Sequence, residues 1–220
     1  MRLQIIIPAH NEEKSIKEVI LGVKKYTNNI IIVDDGSKDN TYLLAKEAAN
    51  DILVLRHEIN LGKGAASKTG CEAALKLGAE TIALMDGDLQ HSPEDVMKLV
   101  EKLEKENLDI IFGVRPINKE MPLLMFLGNK FLTRVCNFLS GIPLNDTQSG
   151  LKVFKASAYP KIAWQASDYS LETEIIIKTS KNNLKYAQLP IQTIYKDAYK
   201  GMTMFDGIKY FFNLLKQKFS

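Results

Sequence analysis

Short apolar runs alternate with amphipathic stretches along the first half of the chain, and each apolar run ends in a polar, acidic or glycine-containing segment. The runs Gln4 to Pro8, Ile30 to Asp34, Ile52 to Arg56 and Thr81 to Asp86 are continuously apolar, the pattern of strands buried on both faces. Between them, Ser15 to Tyr26, Thr41 to Ala49 and Ala65 to Leu77 carry helical spacing. This order predicts an α/β fold with a mostly parallel central sheet flanked by helices. In such sheets ligands bind beyond the carboxyl ends of the strands. PAHNEE, DDGSKDN and DGDLQHS are therefore expected along one edge.

The later segments continue the pattern and then change it. Ser92-Pro93-Glu94-Asp95 supplies an N-cap, a first-turn proline and first-turn acids for a helix reaching about Lys105. A strand from Asp109 to Val114 follows. Met121 to Ser140 has helical spacing with a wide apolar face at Leu124, Leu127, Phe131, Val135 and Phe138. No repeat, low-complexity tract or linker divides residues 1–220, so a single domain is expected. With 45% hydrophobic and 25% charged residues the chain can bury a sizeable core. Its 29 basic and 26 acidic residues leave a formal charge of +3, which gives no reason to expect a nucleic-acid partner. Cys71 and Cys136 are too few for a disulfide framework or a cysteine-rich metal site and are expected as buried thiols. The N-terminal apolar run is too short for a signal peptide, and no run approaches the roughly 20 residues that span a bilayer. A cytoplasmic protein is expected, either free or peripheral on the cytoplasmic membrane face.

The chemistry concentrates in IALMDGDLQHSPED. If Asp86 and Asp88 extend the strand, they share a face, while Gly87 lets a ligand approach the backbone. Two such carboxylates suit Mg²⁺ or Mn²⁺, which share oxygen ligands with substrate phosphates, and Gln90 adds an amide oxygen. The duller alternative is a solvated Asp-Gly turn. In IIVDDGSKDNT, Asp34 or Asp35 can accept hydrogen bonds from a base or from ribose hydroxyls. NLGKGAA sets Gly62, Lys63 and Gly64 before a helix as an anion cradle. It is not a Walker A loop, whose first glycine would fall at His57. His10 and His57 lack partners at metal-ligand spacing and are expected to be packed or at the surface; His91 draws interest by adjoining DGDLQ. Glu172 and Glu174 share a face only if extended; in a helix, one of them becomes a cap or salt-bridge partner.

PAHNEE at Pro8 to Glu13, VDDGSKDNT at Val33 to Thr41, NLGKGAA at Asn60 to Ala66 and MDGDLQH at Met85 to His91 resemble, in order and spacing, family-2 glycosyltransferases of the GT-A fold. DTQSGLKVF at Asp146 to Phe154 and LETEI at Leu171 to Ile175 resemble the branch that transfers sugars to dolichyl and polyprenyl phosphate. The resemblance implies a Rossmann-like nucleotide-sugar-binding half at 1–115, then an acceptor-binding half with a C-terminal helix at 116–220. It implies nucleotide-sugar contacts from Pro8, Ala9, Asn11, Glu13, Asp34, Asp35, Lys63, Asp86 and Gly87. Asp86, Asp88 and Gln90 resemble the metal and diphosphate group, with Asp88 and Arg115 as catalytic residues. Arg134, Ser149 and Lys200 are the implied acceptor contacts; Lys200 stands where the family often has histidine and arginine, absent from DAYKGMTMFDG.

The expected activity is metal-dependent transfer of a sugar, with inversion, from a GDP- or UDP-linked donor to a lipid phosphate. That acceptor is already anionic and needs no general base. A soluble saccharide or protein hydroxyl would need one, for which Asp146, Glu172 and Glu174 are candidates. A non-catalytic nucleotide-sugar-binding protein is the remaining alternative. A sugar-1-phosphate nucleotidyltransferase would show a Gly-rich basic loop where PAHNEE stands. A haloacid-dehalogenase-like phosphatase would carry its DxD near the N-terminus, with Thr or Val in place of Gln90. The sugar, the base, the metal and the oligomeric state are not legible in the sequence.

Overall fold

The structure, a computed structural model, describes residues 2–116 and 123–192. Lys200 and the C-terminal apolar cluster around Phe211 lie outside these residues, as do the side chains at 123–127, Leu124 and Leu127 among them. The elements are β1 (Leu3–Ala9), α1 (Ile16–Lys24), β2 (Ile30–Asp35), α2 (Thr41–Ala48), β3 (Leu53–His57), α3 (Lys63–Lys76), β4 (Thr81–Leu84), α4 (Pro93–Lys105), β5 (Ile110–Val114), α5 (Leu123–Ser140), β6 (Lys152–Lys155), α6 (Tyr159–Ile162), α7 (Leu171–Lys181) and β7 (Tyr186–Pro190).

The strands form one seven-stranded sheet in the order β3-β2-β1-β4-β6-β5-β7. All pairings are parallel except those of β6, which runs antiparallel between β4 and β5. From β1 the chain steps outward through β2 to β3 and then returns to place β4 on the other side of β1. The order therefore reverses between β1 and β4, where open α/β sheets carry a crevice.

Continuous apolar strands cover both faces, as the sequence requires. On one face Ile5, Ile7, Ile30 and Ile32 pack beneath α1, α2 and α4. On the other, Ile6, Ile31 and Val33 meet α3, α6 and α7 around Trp164. Each fully buried isoleucine contributes about 1.5–3 kcal/mol relative to exposure. Helix α3 approaches closely because its inner face is small: a Cβ on Gly70 would overlap Ile6. Helix α4 starts as expected, with Ser92 Oγ accepting from Glu94 N at 3.3 Å and Pro93 in the first turn. Both cysteines are buried and free.

Helix α5 divides its surface. Leu132, Val135 and Leu139 pack on Ile177 of α7, and Cys136 is buried. Phe131 and Phe138 face outward, 58% and 80% exposed, beside the exposed Lys130 and Arg134. Among the described residues no helix is long and apolar enough to cross a membrane.

Candidate active site

A cleft of about 480 Å³ opens at the switch point between the carboxyl ends of β1 and β4. Pro8, Ala9, Asn11, Asp35, Lys63, Asp86, Gly87, Asp88, Gln90 and Arg115 line it. Strand β4 ends at Leu84, so Asp86 and Asp88 reach the cleft from a loop and not from an extended strand, as the shared-face argument assumed. Leu89 turns that loop at φ 64 while its side chain packs on the core. A left-handed leucine is costly, and burial of its side chain offsets the strain. Gln90 N then donates to Asp88 Oδ1 at 3.0 Å.

Glu13, Asp34, Arg134 and Ser149 do not line the cleft. Glu13 Oε2 accepts from Asn40 N at 3.2 Å and so braces the loop before α2. Asp34 and Asp35 are neighbours in β2, so their side chains leave opposite faces. That of Asp34 is fully buried, with Arg56 Nε 3.1 Å from Oδ2 but off hydrogen-bonding alignment. Arg56 also lies over the Tyr42 ring.

Asp35 is itself the anion held by the NLGKG loop. Its Oδ1 is 2.7 Å from His57 Nδ1 and accepts from Leu61 N at 3.0 Å; its Oδ2 accepts from Gly62 N at 2.7 Å. Gly62 has φ 96, a conformation that favours glycine. The next donor, Gly64 N, goes to Ser167 O at 2.7 Å, and Trp164 Nε1 donates to Gly64 O at 2.8 Å. Leu61 N, Gly62 N and Gly64 N of the cradle expected for a ligand anion are thus taken by the chain's own acceptors, and the loop lines the cleft with Asn60, Gly62 and the side chain of Lys63.

Lys63 lies within an alternating row of basic and acidic side chains from four parts of the fold. Lys152 Nζ, buried in β6, is 2.9 Å from Glu172 Oε2; Glu172 Oε1 is 3.0 Å from Lys63 Nζ. Lys63 Nζ is 2.6 Å from Asp86 Oδ1, and Asp86 Oδ2 is 3.3 Å from His91 Nε2. Burial would raise the Asp86 carboxyl, but Lys63 and His91 hold it well below the usual carboxylate range. Burial and the Asp86 charge push Asp88 the other way, upward. Glu172 lies on α7, as does Glu174, and the helix separates them. Glu174 accepts from Gln165 N and Ala166 N at 3.0 Å each and pairs with Lys178.

Arg115 is held in a fork. Its Nε and Nη2 donate to Asp146 Oδ2 and Oδ1 at 2.6 and 3.1 Å, and its backbone N donates to Oδ2 at 3.2 Å. Against the cost of burial, this arginine holds Asp146 below its ordinary pKa.

The sequence reading missed His10, Glu12, Asn129, Gln148, Asp168 and Tyr169, which also line the cleft. Asp168 and Tyr169 are separated from LETEI only by Ser170, and nothing local marks them. Lys152 had a legible signal, a lysine inside the apolar strand KVF.

The residues fit a hard divalent cation. Six carboxylates line the cleft (Glu12, Asp35, Asp86, Asp88, Asp168, Glu172) against one lysine and one arginine. A dication would relieve the mutual repulsion of Asp86 and Asp88. Among the described residues no cluster of three acidic, histidine or cysteine ligands forms. Asp86, Asp88 and Gln90 are the residues that would hold such an ion, which completes its coordination with water and substrate phosphates.

The model of glycosyl transferase family 2 matches residues 4–163. The chain is similar to UDP-N-acetylglucosamine–dolichyl-phosphate N-acetylglucosaminyltransferase of Methanococcus voltae, 36% identical over 98% of this chain and 96% of that one. It is also similar to a dolichyl-phosphate beta-glucosyltransferase of Trichomonas vaginalis, 31% identical over 86% of this chain and 65% of the other. In fold it resembles glucosyl-3-phosphoglycerate synthase of Mycobacterium tuberculosis, solved with Mn²⁺, UDP and phosphoglyceric acid. That likeness has a TM-score of 0.80 at 17% identity and covers 99% of this chain and 78% of that one.

Proposed function

The chain belongs to glycosyl transferase family 2, and on that premise we propose that it transfers a sugar from a nucleotide diphosphate donor to a polyprenyl or dolichyl phosphate. An oxygen of the lipid phosphate attacks the anomeric carbon while the bond from that carbon to the diphosphate oxygen breaks. The nucleoside diphosphate departs with the electron pair, and the configuration inverts.

One observation carries the choice of a phosphate acceptor. The three carboxylates that the sequence offered as bases for a hydroxyl, Asp146, Glu172 and Glu174, are all committed to ion pairs, Glu174 with Lys178. Asp146 sits in the Arg115 fork, and Glu172 lies between Lys63 and Lys152. Asp146, which Arg115 holds below its ordinary pKa, is a poor proton acceptor, whereas a phosphate monoester needs none.

Pro8, Ala9 and Asn11 would flank the nucleoside, with Asp35 shaping that wall through its grip on the NLGKG loop. Lys63 and Arg115 would face the diphosphate and counter the charge that grows as it leaves. Mg²⁺ or Mn²⁺, held by Asp86, Asp88 and Gln90, would supply Lewis-acid stabilisation of that same charge. The outward Phe131 and Phe138, with Lys130 and Arg134 beside them, suit the headgroup region of an anionic membrane that presents the lipid acceptor. The relatives' names specify N-acetylglucosamine in one case and glucose in the other, so the sugar is left to assay.

The test offers UDP-N-acetylglucosamine, UDP-glucose and GDP-mannose with a short water-soluble prenyl phosphate or the matching prenol, with and without Mn²⁺. Metal-dependent product from the phosphate alone is expected. Equal transfer to the prenol, or preference for a soluble sugar hydroxyl, refutes the assignment.

A further inference from the structure

Lys63 stands between two carboxylates with unequal support. Glu172 has a second cation in the buried Lys152, 2.9 Å from Oε2 and itself anchored on Ser149 O at 2.7 Å. Among the described residues, Asp86 has Lys63 at 2.6 Å and otherwise the more distant His91 at 3.3 Å. The Lys63 side chain keeps 18% exposure to the cleft, and the Tyr169 ring lies alongside with its centroid 5.6 Å from Nζ. The ammonium can therefore leave Asp86 for the cleft while remaining paired with Glu172, whose carboxylate Lys152 holds in place.

We propose that Lys63 is an internal competitor of the divalent cation. In the nucleotide-free protein it occupies Asp86 and keeps the affinity for a bare metal ion low. A nucleotide diphosphate draws the ammonium away, and the released carboxylate then accepts the cation. An ammonium and a dication repel each other when they share one carboxylate in a partly buried site, where charges are weakly screened. By linkage the effect is reciprocal: bound metal raises nucleotide affinity by the same factor that bound nucleotide raises metal affinity. The cleft thus resists filling with metal alone. This inference rests on the nucleotide-sugar reading above and assigns Lys63 a role in the order of binding as well as in contact with the diphosphate.

Binding of Mn²⁺ alone to the full chain, followed by electron paramagnetic resonance of the free ion, tests the proposal without any turnover. Circular dichroism first establishes that each variant is folded. Lys63→Met should tighten bare Mn²⁺ binding by on the order of tenfold, within the usual range of coupling between sites, and Lys63→Arg should stay near wild type. The gain should vanish when Lys63→Met is made in an Asp86→Asn background, because direct competition requires the shared carboxylate. An unchanged or weakened affinity in Lys63→Met, or a gain that survives Asp86→Asn, overturns the proposal. If Lys63→Met does not fold, Glu172→Gln decides. It still accepts a hydrogen bond from Lys152 but leaves Lys63 more firmly on Asp86, so bare Mn²⁺ should bind more weakly, and unchanged or tighter binding is the overturning result. UDP and GDP are then added to the wild type. Binding of neither nucleotide, with or without Mn²⁺, would defeat the nucleotide-sugar reading itself, a result separate from the nucleotide-free comparison.

Discussion

Gly150→Ala isolates the support beneath Asp86. Gly150 lies two residues before the start of β6 and backs directly onto the Asp86 side chain, where an added Cβ would overlap both carboxylate oxygens and Cγ. Gly150 is not among the residues with left-handed φ, so alanine meets no backbone penalty there. On conformational grounds alone the substitution would stabilise the protein by about 0.4–1 kcal/mol through the unfolded chain. Against this stands the forced movement of a carboxylate pinned by Lys63 at 2.6 Å and His91 at 3.3 Å. Hydrogen bonds to charged groups are worth about 1.5–3 kcal/mol. The Asp86 side chain is 23% exposed, so water recovers part of that loss. The two effects sum to a net destabilisation of about 1–2 kcal/mol.

The catalytic effect should be larger than the stability effect. A displacement of about 1 Å at a positioned group can cost about a hundredfold in rate, and transfer should fall by at least that much while the fold survives. Urea unfolding and initial transfer rates, measured on one preparation, give both numbers. The decisive comparison repeats Gly150→Ala in an Asp86→Ala background, where the obstructed carboxylate is gone and the added methyl should be neutral or stabilising. If the stability cost is the same in both backgrounds, or if the single variant retains wild-type transfer, the contact between Gly150 and Asp86 does not position the site.

The remaining predictions concern charge and membrane. Asp146→Asn should lower transfer by about 10²–10³-fold by loosening the Arg115 fork, with kcat falling more than donor affinity in steady-state assays. Because Asp86 and Asp146 have lowered pKa values in the fold, their stabilising effect is complete above the unfolded carboxylate pKa and is lost as pH falls through the folded values; urea titrations at stepped acidic pH check this. Asp88 is shifted upward, so Asp88→Asn should raise the stability of the metal-free protein at neutral pH while abolishing transfer, and a loss of stability there would contradict the assigned environment. A Phe131→Asp, Phe138→Asp double variant should lose flotation with anionic liposomes yet bind nucleotide as wild type does; wild-type protein that fails to float would remove the membrane role of α5.

The sequence predicted the positions of β1 to β5 and the edge carrying the motifs because both depend on local patterns, and it did not announce β6 or β7. Continuous apolar runs mark β1, β2 and β4, and the helices between them make their pairings parallel. The two aspartates of DDGS were separable by the same logic: period-2 alternation sends Asp34 into the layer beneath α1 and α2 while Asp35 faces the cleft. The partners of Lys63 were not legible. Glu172 is 109 residues away, and its own anchor Lys152 comes from the antiparallel strand whose insertion between β4 and β5 no local pattern announces. NLGKG illustrates the same limit, since its composition suits an anion but does not say which one, and Asp35 is already there.

That occupancy bears on how a diphosphate is recognised. Where glycine-rich loops hold phosphate by backbone N–H groups, the ligand brings the negative charge and the loop completes the hydrogen bonds. Here Leu61 N and Gly62 N are bound to Asp35, Gly64 N is bound to Ser167 O, and the cleft carries more acid than base. A bare diphosphate would meet net repulsion, and a bare dication would meet Lys63 already seated on Asp86. Each ligand removes the obstacle to the other, so the cleft is built to accept the nucleotide and its metal as a neutralised pair.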